Sequence, residues 1–217
     1  MITYPLFALP MVALPCELVP LHIFEPRYKA MLRYCLDRQA QGQPGEFIIA
    51  YSDGSATPPV GCVVKLVQVI KQYENGRMDV ITAGLRRVEL RGTEAGESFP
   101  VAKAAVLEDE QSDWDEQLAT EAFNLHRLLI QMITGAKPVD KLYEGMAGLS
   151  YVIGSSISLD VGRKMQLLVL RSEDERLKML IKIMKQLIKQ VEAVHKAARS
   201  IQGYWELQKI VGGAKSD

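Results

Sequence analysis

Residues 21–28 read LHIFEPRY, and this octet marks the point where a strand gives way to a helix. It follows an apolar N-terminal segment that prolines interrupt. Pro26 has a fixed φ and lacks an N–H, which suits the first turn of a helix. The carboxylate of Glu25 matches the positive end of the helix dipole. After Pro26, apolar residues recur at helical spacing through Arg38, which predicts an amphipathic helix. Phe24 and Tyr28 are expected to help close the fold's core.

The segment up to residue 110 is rich in β-branched residues, glycine and proline. It predicts strands over 47–51, 62–71, 78–90 and 101–107. The second of these is apolar on both faces, which is typical of a central strand. Five or six short strands with one helix imply a small closed or half-closed barrel.

Glycines mark the expected turns in this half. Asn75-Gly76 predicts a hairpin with a type I′ turn, and Gly84 predicts a bend or bulge. Arg91-Gly92-Thr93 is expected to end the strand that begins at Met78.

The second half reads as helix almost throughout, after a polar junction at 108–115. Ser112 or Asp113 is expected to cap the first helix, and Gly135 to end it. A long helix follows Ser172, with an apolar stripe at 177–201 that is typical of packing in a bundle. The predicted fold is α+β, with domains at 1–110 and 111–217.

Composition excludes several classes of protein. The 217 residues carry 26 Lys+Arg and 26 Asp+Glu, and this zero net charge argues against a non-specific nucleic-acid binder. No apolar run is long enough to span a membrane, and no secretory leader is visible. The three cysteines match no disulfide or zinc spacing, so we interpret them as small apolar core residues in a reducing, cytoplasmic setting.

The sequence offers no catalytic constellation. His22, His126 and His195 fall in separate elements and are interpreted as packed or surface histidines. No metal-ligand spacing, phosphate-binding loop or nucleophile elbow occurs. The prediction is a protein that is not an enzyme, with no catalytic residue, metal site or cofactor.

Four blocks carry a family resemblance, namely Tyr4–Leu36, Pro59–Val67, Asn75–Val88 and Leu149–Leu168, with Arg176-Leu177 at the start of the last helix. In this order they resemble the N-terminal domain of Lon proteases. The resemblance implies a PUA-like pseudo-barrel followed by a helical bundle. It also implies recognition of polypeptides without catalysis, because the ATPase and protease modules of a full Lon protease are not found in these residues.

We therefore expect a non-catalytic module that binds exposed apolar segments of polypeptide as an adaptor or regulator. Nine methionines would help such a surface adapt to different partners. A separate protease is a further candidate partner, and a homo-oligomer is left open. The hypothesised peptide-binding residues lie near a groove between barrel and bundle: Phe24, Glu25, Arg27, Tyr28 and Met31. The competing interpretation is that the apolar members of this set are core.

Two other functions remain open at this point. A PUA-like RNA-binding protein would use a basic face near Arg86, Arg87 and Arg91. An enzyme would need a pocket between the two lobes that holds convergent polar groups and a histidine.

Overall fold

The computed structural model describes residues 1–54, 59–110, 115–136, 143 and 148–213, with side chains described up to residue 200. The chain forms two compact units. The first unit is Met1–Trp114 with Tyr143–Arg176, and the second is Asp115–Leu142 with Leu177–Asp217. The sequence-based domain boundaries, 1–110 and 111–217, stay a prediction.

Six strands and five helices make up the described chain. The strands are β1 (Ile2–Leu9), β2 (Leu18–Ile23), β3 (Glu46–Tyr51), β4 (Val60–Gln72), β5 (Met78–Ala95) and β6 (Pro100–Val106). The helices are α1 (Pro26–Ala40), α2 (Glu116–Thr134), α3 (Leu149–Ser156), α4 (Val161–Val169) and α5 (Glu173–Gly213). This mixture, with a long final helix, confirms the predicted α+β class.

The sheet closes into a barrel. Its strand order is β2-β5-β4-β3-β1-β6, and β5 also pairs with β6. The five strands β1, β3, β4, β5 and β6 therefore form a ring, and β2 is attached along the first half of β5. The ring's buried core is mostly apolar: Tyr4, Leu6, Ile48, Ala50, Val63, Val88, Ala102 and Ala104.

β5 is the longest strand because it pairs with three neighbours. Its first half pairs with β2 and its second half with β6, while β4 accompanies it from Met78 to Glu89. The predicted break at Arg91-Gly92-Thr93 is wrong: the strand continues to Ala95 with a register irregularity between Leu90 and Gly92. Pairing with β6 satisfies the backbone there, so the glycine bends the strand without ending it.

Gly84 occupies the bend that the sequence predicts. Its N–H donates to the Glu17 carbonyl at 2.8 Å, and its own carbonyl accepts from the Cys16 N–H at 3.0 Å. A Cβ at this position would lie 1.9 Å from the Leu14 carbonyl oxygen. The close approach of two backbone segments therefore requires glycine here.

The octet at 21–28 behaves largely as predicted. β2 ends at Ile23 and α1 begins at Pro26, with Glu25 as N-cap. The Tyr28 hydroxyl donates to the Ala8 carbonyl at 3.0 Å, and its ring lies 4.3 Å from that of Phe7. Phe24 does not help close the core, because it is 58% exposed and follows a strand whose alternate residues face solvent.

The β4–β5 hairpin is present, but its turn differs from the prediction. Asn75 has no positive φ, whereas Gly76 has φ +74°. The Gly76 N–H donates to the Tyr73 carbonyl and the Tyr73 N–H to the Arg77 carbonyl, both at 2.9 Å. This is the three-residue loop in which a left-handed glycine follows a type I turn.

The helix termini follow local chemistry. Asp115 caps α2, since its carboxylate accepts from the Leu118 N–H at 2.9 Å. Ser112 and Asp113, the predicted caps, lie outside the described residues. Gly135 ends α2 in the left-handed conformation, as predicted.

The second unit combines α2 with most of α5. An ion pair of 2.6 Å joins Lys185 on α5 to Glu121 on α2. The stripe predicted along α5 is buried up to Ile188, and side chains at 192–200 are exposed. The buried residues of the two helices are Ala119, Ala122, His126 and Leu129 on α2, and Leu177, Leu180, Ile181, Ile183, Met184 and Ile188 on α5.

Substituting Gly84 tests the close approach at the bend. Gly84→Ala should lower the free energy of unfolding by about 2–3 kcal/mol, because the new methyl group overlaps the Leu14 carbonyl. Gly92→Ala, in the same strand and with nothing within 4 Å of its Cβ position, is the matched control and should change stability by less than about 0.5 kcal/mol. Urea unfolding measures both, and equal effects would contradict the argument.

Burial of His126 should make the second unit sensitive to acid. The imidazole is fully buried, and burial lowers its pKa from 6.5 to about 4. Between these two values the unfolded chain binds a proton that the folded chain does not, so the free energy of unfolding falls as the pH is lowered from 6.5 to 4. The total loss is about 3 kcal/mol.

The substitution His126→Gln should flatten this part of the stability–pH profile, as followed by urea unfolding at several pH values. His195→Gln, at an exposed position of α5, is the control and should leave the profile unchanged. A His126→Gln variant that keeps the full slope would refute the assignment.

Candidate functional site

One surface of the sheet faces solvent on β2, β5 and β4, and we call it the outer face. Its three rows of paired residues are Leu18–Ala83–Lys65, Pro20–Ile81–Gln68 and His22–Asp79–Lys71. Phe24 continues β2 beyond the last row. Val67 and Ile70 are added by the irregularities in the register of β4.

The outer face exposes large apolar side chains. Leu18 is 65% exposed, Phe24 58%, Ile70 56% and Val67 51%. On the opposite side of the same strand, Val19, Leu21 and Ile23 are buried. β2 therefore also carries apolar residues, Leu18 and Pro20, on its exposed side. Several large apolar side chains exposed on one face of a sheet are typical of a surface that binds a partner.

A polar corner borders this apolar surface. His22 Nδ1 lies 2.5 Å from one carboxylate oxygen of Asp79, and the other oxygen accepts from the Tyr73 hydroxyl at 2.7 Å. The hydrogen bonds from His22 and Tyr73 lower the pKa of Asp79 below its ordinary value of 3.8. The His22 ring stacks on that of Phe24 at 5.9 Å between centroids. The corner thus fixes the position of an exposed aromatic ring.

The described residues contain no group of three or more His, Cys, Asp or Glu side chains placed to hold a metal ion. Burial raises the pKa of the Cys35 and Cys62 thiols to about 12, so neither supplies a reactive thiolate near neutral pH. Cys16 is only partly buried.

The five residues predicted to bind peptide do not share one surface. Phe24 belongs to the outer face. Glu25 and Arg27 pair with each other at 2.8 Å beside it, and the Arg27 guanidinium lies 4.5 Å from the centre of the Tyr28 ring. Tyr28 is only 2% exposed and Met31 is fully buried, so their side chains belong to the core. The peptide-binding hypothesis stays a prediction for the exposed members.

The sequence prediction missed Leu18, Ile81 and the polar corner. A signal for Leu18 existed, because apolar residues at both odd and even positions of β2 indicate a strand with a second apolar face. Asp79 and Tyr73 gave no local signal. Their approach to His22 depends on the pairing register between β2 and β5.

The three arginines of the RNA-binding alternative form no common basic face. Arg86 donates to Glu46 at 2.6 Å and to the Tyr4 hydroxyl at 2.8 Å. Arg91 pairs with Glu89 at 2.7 Å. Arg87 is only 4% exposed, and burial lowers the pKa of its guanidinium.

Arg87 instead belongs to a buried cluster in the first unit. It donates to the carbonyls of Leu168 and Leu170 and pairs with Asp109. Arg176, at the start of α5, is fully buried and binds the same Asp109 carboxylate. Glu173 is a further partner of Arg176, at 2.6 Å. One acidic side chain therefore ties β5 to the start of α5.

Comparison with known proteins identifies the family. Residues 3–186 match the model of the ATP-dependent protease La (Lon) substrate-binding domain. The chain belongs to this family. The resemblance drawn from the four sequence blocks is thereby confirmed.

Two solved Lon N-terminal domains share the fold. One is a Lon N-terminal domain protein from Xanthomonas campestris, 20% identical with a TM-score of 0.61. The other is the N-terminal domain of the Mycobacterium avium complex Lon protease, 18% identical with a TM-score of 0.61. Each likeness covers 84% of this chain and 98% of the other chain. In the described part of this Lon-family chain, no helix has the length and apolar character needed to cross a bilayer.

Removing the shared carboxylate should weaken the first unit. Asp109→Asn leaves two buried guanidinium groups with one acidic partner fewer, and should lower the free energy of unfolding by about 2–3 kcal/mol. The cost is below that of a fully buried pair, since the Asp109 side chain is 40% exposed.

Glu110→Gln is the matched control for this substitution. Glu110 is 61% exposed and lies 3.9 Å from Arg171, so the change should cost less than about 0.5 kcal/mol. Guanidinium chloride unfolding compares the two variants. An Asp109→Asn effect as small as the control's would show that the cluster contributes little.

Proposed function

We propose that this chain is a polypeptide-binding module that uses the outer face to bind exposed apolar segments of its clients. The observation that carries the proposal is the set of four large apolar side chains, each more than half exposed, on the two strands that flank β5: Leu18 on β2, Phe24 just after it, and Val67 and Ile70 on β4. Membership of a substrate-binding domain family supports the same conclusion.

The chemistry of the outer face suits weakly selective recognition. Apolar contact is non-directional, and covering apolar surface contributes about 25 cal/mol per Å² removed from water. Leu18, Phe24, Val67 and Ile70 can therefore each accept a range of client side chains. Tyr73, His22 and Asp79 provide a polar border that limits how far an apolar segment extends.

The position of β2 adds a second means of binding. β2 is the end strand of the sheet order, and its outer edge pairs with no strand in the described part of the chain. An extended client could add its backbone to such an edge while its alternate side chains contact the outer face. Pro20 cannot donate a backbone hydrogen bond, so this pairing would be short.

The biological role that we propose is that of an adaptor or regulator, which presents a bound client to a separate protease. Cross-linking in the native cell extract, followed by identification of bound clients and proteases, addresses this part of the proposal. Recovery of unfolded clients without any protease would restrict the role to client binding.

The double substitution Leu18→Asp with Phe24→Asp tests the outer face directly. It places two charges where apolar contact is proposed, while both positions are solvent-exposed in the folded chain. The affinity for a permanently unfolded, carboxymethylated protein should fall at least about tenfold, since two apolar contacts of about 1–2 kcal/mol each are lost. Fluorescence anisotropy of the labelled client measures the change.

Val106→Asp with Val161→Asp is the matched control. These two apolar residues are 46% and 40% exposed and lie at the end of β6 and the start of α4. The control should bind the client as the unmodified protein does. Equal losses in both double variants, or no loss in either, would place client binding elsewhere.

A further inference from the structure

A separate cavity of about 330 Å³ lies where β1, β3, β5 and the end of α1 meet. Its size falls at the lower end of the range for small-ligand sites. Glu46 and Arg86 each precede a barrel-core residue by two positions, so their side chains lie on the interior side of their strands at one end of the barrel. The residues that matter for the argument are Ile2, Tyr4, Tyr34, Arg38, Glu46 and Arg86.

The floor of this cavity is an internally satisfied ion pair. Arg86 donates to the Glu46 carboxylate at 2.6 Å and to the Tyr4 hydroxyl at 2.8 Å. Partial burial acts to lower the pKa of Arg86, but the hydrogen bonds and charges of Glu46 and Tyr4 together outweigh it, so the pKa lies above its ordinary value. The floor therefore carries one positive and one negative charge and is neutral overall.

Arg38 supplies a positive charge that the floor does not balance. Its Nε donates to the Pro44 carbonyl at 3.2 Å, and one terminal nitrogen donates to the Tyr34 hydroxyl at 3.3 Å. The guanidinium lies 5.7 Å from the centre of the Tyr34 ring. Among the described residues no carboxylate pairs with Arg38. The group is thus held in place with N–H donors still available.

The remaining walls are mostly apolar. Tyr34 is 40% exposed and its ring lies 5.4 Å from that of Phe99, while Ile2 is 56% exposed. Pro5 and Pro44 add rigid apolar rings, and Thr3 completes the lining. A ligand would therefore meet one fixed cation beside apolar surface.

We propose that this cavity binds a carboxylate carried on a small apolar group, with Arg38 as its charge partner. A planar guanidinium matches a carboxylate through paired hydrogen bonds. Because the lining carries one uncompensated positive charge, it suits a single negative charge better than a doubly charged phosphate. If the proposed function holds, the carboxylate is the C-terminus of a client polypeptide, and this part of the inference rests on that function. A free small carboxylic acid offers the same chemistry.

Three probes separate these cases by NMR titration of the unmodified protein. They are acetyl-Ala-Leu with a free C-terminal carboxylate, the same dipeptide as its C-terminal amide, and 4-methylpentanoate. The signals to follow are the Arg38 side-chain Nε–H and the backbone amides of Thr3 and Glu46. The free acid should bind at least about tenfold more tightly than the amide, as expected for loss of a charge-assisted hydrogen bond.

Substitutions on α1 test the role of Arg38. Arg38→Gln should weaken binding of the free acid at least about tenfold, and Arg38→Lys should lose less because it keeps the charge. Arg33→Gln, an exposed arginine on the same helix, is the matched control and should not change the titration. The acid-to-amide comparison needs no substitution, so it decides the matter even if a variant fails to fold.

The outcomes separate the cavity from the outer face. Tighter binding of acetyl-Ala-Leu than of 4-methylpentanoate supports polypeptide C-termini, and equal or weaker binding supports free acids. The Leu18→Asp with Phe24→Asp variant should titrate normally with the free acid, whatever its effect on unfolded clients. Amide binding as tight as acid binding, or an Arg38→Gln variant that binds like the unmodified protein, would overturn the inference.

Discussion

Closure of the barrel by β5 is the constraint on which the first unit depends. One strand of 18 residues must pair with β2 and β4 along its first part and with β4 and β6 along its second. A straight strand cannot turn from one set of partners to the other, so the register shifts beside Gly84. The same bend brings the backbone of residues 14–17 against β5 and leaves room for no side chain there. The cavity at one end of the barrel and the exposed side of β2 both follow from this closure. The ring of five strands forms the barrel end that holds the cavity, and β2 remains outside the ring.

Buried charge provides the second constraint. Arg87 on β5 donates to the carbonyls of Leu168 and Leu170 at the C-terminal end of α4, and Arg176 in the first turn of α5 also donates to the Leu170 carbonyl. Two guanidinium groups this close repel each other unless an anion lies between them, and Asp109 fills that place. Apolar side chains of the same volume could give equal stability, but a shared carboxylate also fixes the orientation of the two guanidinium groups that bind it. The start of α5 is thereby set relative to the strand that closes the barrel.

The fold was largely readable from the sequence because its signals are local. Pro26 begins α1, Gly135 ends α2, and the alternating apolar runs mark the strands. The errors arose where tertiary pairing decides the outcome. β6 carries β5 past Gly92, and the three-residue loop makes Gly76 alone adopt a positive φ. The sequence predicted only part of the candidate site, because strand pairing also determines which residues meet there. Phe24 was named, but Asp79 on β5 approaches His22 only through the pairing register of the two strands, and Met31 lies on the buried side of α1.

An end strand with an apolar face also bears on the solubility of the molecule itself. A surface that accepts unfolded chains can accept a second copy of the same protein, since apolar contact does not distinguish client from self. Pro20 interrupts the backbone donors at the middle of β2, and charges of both signs flank the apolar rows at Lys65, Lys71 and Asp79. Such residues act as gatekeepers, because they oppose the regular stacking of sheets while leaving brief, irregular contacts possible. The composition of β2 and its neighbours therefore combines exposed apolar side chains with residues that oppose aggregation.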